Sequence, residues 1–318
     1  MKYIFGSRFA GKINEMLDHR ATMGHSVSNY HDMLSRFDRF CLKEFRDEAI
    51  LTKEIAFAWC NDAKGSGGVK RACTLRAFAR YVQSMGEYSY VLPPLFFPSQ
   101  KAMPPYIMNG NELKCFFEAT DHFSSSALNP LLEFTVPVIF RLQYACGMRP
   151  QETRLLLRTD FDFADGTIYI AEGKYNKDRR LPVCTEIMDM CKKYDRIAER
   201  IIPNRTYFFQ APSGNVYGRR WLSDTFNICW EMSGNGVKPD ACTPYALRHN
   251  YATQMLMRWV EDGKDLNAMI PYLSAYMGHE SFSATYYYVY LLPERLACMD
   301  FMRSDGVIPE VYDYEKKL

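Results

Sequence analysis

A proline-rich segment near the end of the first third of the chain constrains the fold more than any other feature. Five prolines occur among the fourteen residues from Leu92 to Pro105. Because proline lacks a backbone N–H and clashes with the preceding turn, no helix continues through this segment, and an extended linker is expected. A chain of 318 residues, 47% of them hydrophobic, can form two cores. We therefore predict a first domain of residues 1–95, a linker of 96–105 and a second domain of 106–318.

Helical periodicity dominates both predicted domains. The first domain is expected to contain helices at 8–22, 27–45, 51–60 and 68–85. The second is expected to contain helices at 109–120, 130–146, 185–201, 218–233, 244–261 and 265–276. Residues 160–184 instead alternate β-forming side chains around an Asp165–Gly166 turn, which predicts a small antiparallel sheet. Because no β-α-β alternation supports a Rossmann fold, the predicted class is mainly α with a small sheet (α+β).

Several classes of protein are excluded by the composition. The N-terminal sequence MKYIFGSRF lacks the apolar core of a secretion signal, and no run of about 18 apolar residues predicts a membrane span. Ten cysteines are spread from Cys41 to Cys298 without a CxxC pair, which favours reduced thiols over disulfides or a zinc ribbon. We expect a cytoplasmic protein that uses neither a metal nor another cofactor.

The distribution of charge is more informative than the net charge of +2. Residues 1–104 carry 15 Lys/Arg against 10 Asp/Glu, a balance of +5, whereas the remainder carries 24 against 27, a balance of −3. One predicted helix in an acid-free stretch bears four basic residues: Lys70, Arg71, Arg76 and Arg80. Two interpretations stay open: a solvated basic face, or a helix that contacts a DNA backbone, where each phosphate contact releases counterions.

The sequence CGMRPQE places Arg149 at a junction between two helices. Gly147 is suited to end one helix and Pro150 to begin the next. Arg149 would then lie at a helix N-terminus, where an anion is favoured, and Glu152 one turn later could orient its guanidinium. The alternative is a surface Arg–Glu pair, which contributes little.

Two later stretches carry further candidates. In TPYALRHNYAT, Thr243 and Pro244 open a helix that bears Arg248. In LSAYMGHESFSATYYYVY, Ser281 or Ser283 is a suitable N-cap for a helix rich in tyrosine. The tyrosines of that helix are Tyr286, Tyr287, Tyr288 and Tyr290. Because successive helical residues are rotated by about 100°, at most one or two of them can face a common cleft.

In order and local sequence, these three stretches together resemble the catalytic motifs of the tyrosine recombinase (phage integrase, Xer-like) family. The resemblance covers residues 105–295. It implies a helical core-binding domain of the SAM-like type followed by a tyrosine-recombinase catalytic domain, the two forming a C-shaped clamp on DNA.

The resemblance also assigns roles to individual residues. It implies six catalytic residues: Arg149, Lys174, Tyr245, Arg248, His279 and Tyr288. Tyr288, nine residues after His279, holds the position of the nucleophile. Glu152 would not touch the substrate but would hold the guanidinium of Arg149 in a fixed orientation. The family has a catalytic lysine on a β-hairpin, which falls here in the predicted sheet of residues 160–184, and Lys174 is preferred to Lys177 for that position. Lys177, Arg179 and the basic residues of the helix that bears Lys70 would make further contacts with DNA.

One position departs from the family pattern. Tyr245 stands where the family has a histidine, and a phenol, with a reference pKa near 10, is a poorer proton shuttle than imidazole. We interpret the neighbouring His249 as a packing and hydrogen-bonding residue and not as a substitute.

The implied activity is site-specific recombination or integration of double-stranded DNA through a 3′-phosphotyrosine intermediate. The implied assembly is a homotetramer on DNA, with the C-terminal tail, residues 300–318, as the candidate docking segment, and with no membrane partner. The alternatives are a type IB topoisomerase-like enzyme and a DNA-binding accessory protein with a weakened active site.

Overall fold

The computed structural model describes residues 3–61, 66–97, 104–171, 178–279 and 281–289. The chain divides into two compact units, Met1–Ala102 and Met103–Leu318. The division falls within the proline-rich segment that the sequence analysis identified as a helix breaker.

The described residues of the first unit form four helices: α1 (Ala10–Thr22), α2 (Ser28–Glu44), α3 (Lys53–Asn61) and α4 (Ser66–Ser84). Their buried faces meet in an aromatic core, in which Phe37 lies 5.4 Å from Phe9 and 5.0 Å from Trp59 between ring centroids. The fully buried Asp38 accepts hydrogen bonds from the backbone N–H groups of Gly6 and Ser7, both at 3.0 Å. A buried carboxylate is tolerated only when paired in this way, and the bonds fasten the N-terminal segment to α2.

The second unit contains eight helices and one small sheet in its described residues. The helices are α5 (Gly110–Asp121), α6 (Leu132–Ala145), α7 (Pro150–Leu155), α8 (Thr185–Ile201), α9 (Trp221–Met232), α10 (Tyr245–Glu261), α11 (Leu266–Met277) and α12 (Ser283–Val289). A single 3-10 turn, Arg158–Asp160, precedes the sheet. The predicted class, mainly α with a small antiparallel sheet, is confirmed.

The three strands are β1 (Phe161–Asp162), β2 (Thr167–Ile170) and β3 (Arg179–Pro182), which pair antiparallel in the order β1-β2-β3. Ile168 lies opposite both Phe161 and Leu181. Because side chains alternate across a strand, Ile168 and Ile170 both face the core and are buried. The turn at Gly166 adopts a positive φ of 66°.

Hydrogen bonds fix the first two turns of helix α10, one at Pro244 just before the helix and two at Asn250. The side chain of Gln143, on α6, donates to the carbonyl oxygen of Pro244 at 2.5 Å. The amide of Asn250 accepts from the N–H of Met108 at 2.9 Å and donates to its carbonyl oxygen at 2.6 Å. These contacts hold the turn that carries Arg248 against the main core of the unit.

A separate apolar cluster joins the last three described helices. It is formed by buried residues of α10, α11 and α12: Ala252, Leu256, Trp259, Ile270, Leu273, Met277 and Tyr288. The described part of helix α12 spans seven residues, and this packing helps to hold it in place.

Two predictions from composition can be compared with the described residues. None of the nine cysteines among them takes part in a disulfide. No helix in the described ranges is long and apolar enough to cross a membrane.

Candidate active site

Arg149 lies at the N-terminus of α7, as the sequence predicts, and is oriented by two partners. Its backbone N–H donates to Glu152 at 2.9 Å, and its Nη1 donates to the same carboxylate at 2.6 Å. Its Nη2 donates to the carbonyl oxygen of Gly278 at 2.6 Å, 129 positions further along the chain. Arg149 is therefore held by hydrogen bonds from two sides, by Glu152 and by Gly278.

Two turns whose carbonyl groups bind the active-site arginines require glycine: Gly147, which binds Arg248, and Gly278, which binds Arg149. Gly147, before Arg149, has a φ of +56°, and a Cβ there would lie 2.3 Å from the ring of Tyr251. Gly278 ends α11 with a φ of +65°, and a Cβ there would lie 2.9 Å from Nη1 of Arg179. In both turns a side chain would be strained by the backbone and would displace a neighbour of the arginine cluster.

Arg248 is the most buried member of the cluster, with 2% of its surface exposed. Its Nη1 donates to the carbonyl oxygen of Gly147 at 2.6 Å, and its Nη2 donates to the carbonyl oxygen of Met277 at 2.9 Å. Burial, and then the positive charge of Arg149, lower its pKa to about 10. The guanidinium stays charged at neutral pH and forms no ion pair with a carboxylate in the described part of the chain, so this site favours a bound anion.

The proton of His279 can be assigned from its neighbours. Arg248 only donates, and its Nη2 lies 2.9 Å from Nε2 of His279, so Nε2 must accept. The hydrogen then sits on Nδ1, which lies 2.7 Å from the hydroxyl of Thr285. Burial, and then the nearby arginines, lower the pKa of His279 to about 3. His279 is thus a neutral imidazole that links Arg248 to α12.

Tyr288 is the one tyrosine of α12, among those described, that reaches the arginines. Its side chain is buried, and its ring stacks on His279 with centroids 6.2 Å apart. Tyr286 turns away to Asn267, and Tyr287 is 40% exposed. Burial raises the pKa of Tyr288, and the nearby Arg248 opposes that rise.

His249, which the sequence predicts to be a packing and hydrogen-bonding residue, contacts the phenol of Tyr288. Its Nδ1 lies 3.0 Å from the Tyr288 hydroxyl. The positive charge of Arg248 lies close enough to this phenol to favour its ionised form. Burial, and then Arg248, lower the pKa of His249 to about 4, so the imidazole is neutral at pH 7 and one of its ring nitrogens is free of a proton. The sequence signal was its position four residues after Tyr245, on the same helical face.

Tyr245 lies at the rim and not in the centre of the site. It is 45% exposed, and its ring centroid is 6.2 Å from that of His249. Together with Arg149 and Glu152 it lines an open pocket of about 610 Å³ that extends to Tyr169 on β2. A phenol at this rim can donate a hydrogen bond to an anion that Arg149 holds.

Arg179 differs from its expected role as a DNA contact. Its side chain is 10% exposed, and its Nη1 and Nη2 form ion pairs with Glu152 at 3.1 and 2.8 Å. Its Nε donates to the carbonyl oxygen of Tyr276 at 3.0 Å. The carboxylate of Glu152 therefore joins two arginines. Burial opposes its ionisation, but Arg179 and then Arg149 outweigh that effect and lower the pKa of Glu152 to about 2.

The basic helix α4 also differs from expectation at two of its four positions. Arg71 donates to the carbonyl oxygen of Trp59 at 2.6 Å, and Arg76 donates to the carbonyl oxygens of Leu92 and Pro93 at 2.9 and 2.7 Å. These side chains tie α4 to its own unit, whereas Lys70 and Arg80 are exposed. Lys174, Lys177, Tyr290 and the tail 300–318 lie outside the described residues.

Comparison with known proteins identifies the class. The family model described as the phage integrase family matches residues 107–295. The chain therefore belongs to that family, and the predicted class, a tyrosine recombinase that transfers DNA strands, is confirmed. The match spans every motif named above, from CGMRPQE to the tyrosine-rich helix.

Individual relatives agree in length and fold. A putative integrase/recombinase, y4rE, of Sinorhizobium fredii is 27% identical over 290 residues, which cover 89% of this chain and 92% of that protein. The tyrosine recombinase XerC of Nitrobacter winogradskyi is 26% identical and covers 79% of this chain and 75% of its own length. The structure of the XerH site-specific recombinase bound to difH substrate has a TM-score of 0.62 at 18% identity, over 92% of this chain and 84% of XerH. The structure of a lambda integrase dimer bound to a core site has a TM-score of 0.59 at 15% identity, and the match covers 86% of this chain and 96% of the lambda integrase chain.

Proposed function

We propose that this chain cuts and rejoins double-stranded DNA at a specific site with Tyr288 as the nucleophile. One observation carries the proposal: Tyr288 stacks on His279, His279 is hydrogen-bonded to Arg248, and Arg149 lies close to Arg248 in the same cluster. XerH and lambda integrase, which share the fold, are bound to DNA in their structures. We assign the protein to the cytoplasm, where bacterial DNA lies.

The chemistry is an in-line substitution at phosphorus. The Tyr288 oxygen forms a bond to the phosphorus of the scissile phosphodiester, the bond to the 5′-oxygen breaks, and a 3′-phosphotyrosine results. Attack by a 5′-hydroxyl of another strand reverses the step and releases Tyr288. Arg149 and Arg248 stabilise the non-bridging oxygens as negative charge increases in the transition state.

Each proton has a proposed acceptor or donor. The phenol hydrogen of Tyr288 would pass to Nδ1 of His249, which lies 3.0 Å from the hydroxyl. The bound phosphate offsets the positive charge of Arg248 and so raises the low pKa of His249, which makes the transfer easier. Lys174 would supply the proton that the departing 5′-oxygen takes, and Tyr245 and His279 would bind the phosphate.

Tyr288→Phe is the direct test, on a nicked duplex that traps the covalent intermediate. The variant should bind DNA as tightly as the wild type and form no covalent adduct, because it keeps the ring and loses only the attacking oxygen. Tyr287→Phe, at an exposed neighbour on the same helix, is the matched control and should form the adduct normally. An adduct in Tyr288→Phe, or its loss in Tyr287→Phe alone, would show that the nucleophile is a different tyrosine.

The assembly is a finer proposal. Exchange between two sites needs four strands cut, so we propose a homotetramer on paired DNA sites, held in part by the tail 300–318. Cross-linking on DNA with two sites should yield four-chain products. Products limited to two chains would contradict the tetramer. Crossover between two sites, and not simple relaxation of supercoils, distinguishes the recombinase from a type IB topoisomerase.

A further inference from the structure

A second pocket, of about 240 Å³, adjoins the one that contains Arg149. It lies where the first turns of α9 and α10 face α7. Its polar lining consists of Gln151, Arg154, Arg219, Ser223, Thr243 and Tyr245. No aspartate or glutamate appears among the described residues that line it. Gln151 and Tyr245 line both pockets, so the two are neighbouring compartments of one surface.

Arg154 is the unexplained charge in this pocket. Only 7% of its surface is exposed, and Nη1 donates to the carbonyl oxygen of Tyr217 at 2.5 Å. No acid in the described part of the chain forms an ion pair with Arg154. Burial, and then the positive charge of Arg219, lower its pKa. A buried guanidinium beside a second one and without an acid is unfavourable, and a bound anion would remove both penalties.

The backbone adds to the positive potential. Neither α9, with 12 residues, nor α10, with 17, has a side-chain hydrogen bond capping its N-terminus. Their first-turn residues, Leu222 and Ser223 on α9 and Tyr245 on α10, line the pocket. The N–H groups of Trp221, Ala246 and Leu247 already donate to carbonyl oxygens of the preceding turns, so the helix dipoles are what favours an anion there. The acid in the first turn of α9, Asp224, is exposed and does not line the pocket.

We propose that this pocket binds a second backbone phosphate of the cleaved DNA strand, next to the phosphate held by Arg149 and Arg248. The inference rests on the proposed function, because it takes DNA to be the substrate. Arg154 would donate from the base of the pocket and Arg219 from its rim, with the hydroxyls of Ser223 and Thr243 beside them. A phosphate contact carries no sequence information, but it fixes the register of the strand, here relative to Tyr288.

The first test is the salt dependence of binding to duplex DNA by the full chain. Arg154→Met, which keeps most of the volume and removes the charge, and Arg219→Ala should each make the slope of log K against log salt shallower by about 0.9. The double variant Arg154→Met/Arg219→Ala should also make the slope shallower by about 0.9 and no more, because both arginines bind the same phosphate. Arg220→Ala is the matched control, since this exposed neighbour does not line the pocket.

The second test neutralises single phosphates with methylphosphonate in a nicked duplex. One position beside the scissile phosphate should weaken wild-type binding as much as Arg154→Met does, and should have no further effect on that variant. Unchanged slopes in Arg154→Met and Arg219→Ala, with normal adduct formation, would overturn this pocket and leave the proposed recombinase intact. Equal changes in Arg220→Ala would show a diffuse charge effect and also overturn it. A wild type that forms no adduct would instead refute the proposed function.

Discussion

Helix α4 in the first unit and the arginine cluster in the second unit are both rich in arginines that donate to backbone carbonyl oxygens, yet they do different things. Arg71 and Arg76 bind carbonyl groups of the segments next to α4 and so complete a local fold. Arg149 binds the carbonyl group of Gly278, and Arg248 binds those of Met277 and Gly147. Of these two arginines only Arg149 is paired with a carboxylate in the described part of the chain, so a positive site remains between them.

The difference lies in where the partners come from. The hydrogen bonds of Arg71 and Arg76 named above join residues 12 to 17 positions apart, whereas Arg149 reaches Gly278 across 129 positions and Arg248 reaches Gly147 across 101. The cluster therefore exists only in the folded unit. A run of basic residues in a sequence indicates charge, and only convergence of distant arginines on one point indicates an anion site.

Glu152→Gln should have the largest effect on adduct formation and on stability, because it breaks the convergence of arginines at the active site. Glu152 joins Arg149 to Arg179, and its loss leaves two buried guanidinium groups unpaired. Breaking a buried ion pair costs about 3–5 kcal/mol, and a displaced Arg149 should slow adduct formation about a hundredfold or more. The measurements are single-turnover cleavage and denaturant unfolding. Glu118→Gln, in an exposed pair with Lys114, is the control and should change stability by less than about 1 kcal/mol.

The same substitution should alter the response to acid. Because the folded protein lowers the pKa of Glu152 from 4.5 to about 2, the stabilisation is complete above 4.5 and is lost as pH falls from 4.5 towards 2. Wild type should therefore lose stability over this window more steeply than Glu152→Gln. Parallel curves for the two proteins would show that the carboxylate is not held in the charged form.

A smaller effect is expected on α4, where Arg76 and Arg80 separate the two roles of arginine. Arg76→Ala removes hydrogen bonds to Leu92 and Pro93 and should destabilise the protein by about 1–2 kcal/mol. Arg80 is exposed, so Arg80→Ala should leave stability unchanged and, if α4 contacts DNA, make the salt slope shallower by about 0.9. If Arg76→Ala instead made the salt slope shallower and left stability unchanged, Arg76 would bind a DNA phosphate, as the arginine cluster of the second unit is proposed to do.

The secondary structure could be predicted because its signals are local. Apolar periodicity predicted α8 as residues 185–201, which is the observed span, and α10 within one residue at its start. The Asp165–Gly166 turn similarly predicted the β1–β2 hairpin. Family motifs then pointed to Arg149, Arg248, His279 and Tyr288, which the structure brings together.

The direction of individual side chains could not be predicted, because it depends on distant partners. Arg179 was expected to face DNA, but its partners Glu152 and Tyr276 lie 27 and 97 positions away. The contact of His249 with Tyr288 spans 39 positions and depends on how α12 packs. The pocket of Arg154 is a further case, since no motif of the sequence drew attention to it.

The smallest effect is expected at Tyr245, where this chain departs from its family. If His249 accepts the proton of Tyr288, the histidine that the family has at position 245 is not needed for that step. Tyr245→His should then leave adduct formation within about tenfold of wild type, or about 1.4 kcal/mol in the barrier. Tyr245→Phe should be slower than Tyr245→His, because it cannot donate a hydrogen bond to the phosphate at the rim. A hundredfold gain in Tyr245→His would mean that His249 does not take the proton and that the cluster, although assembled, is a weakened active site.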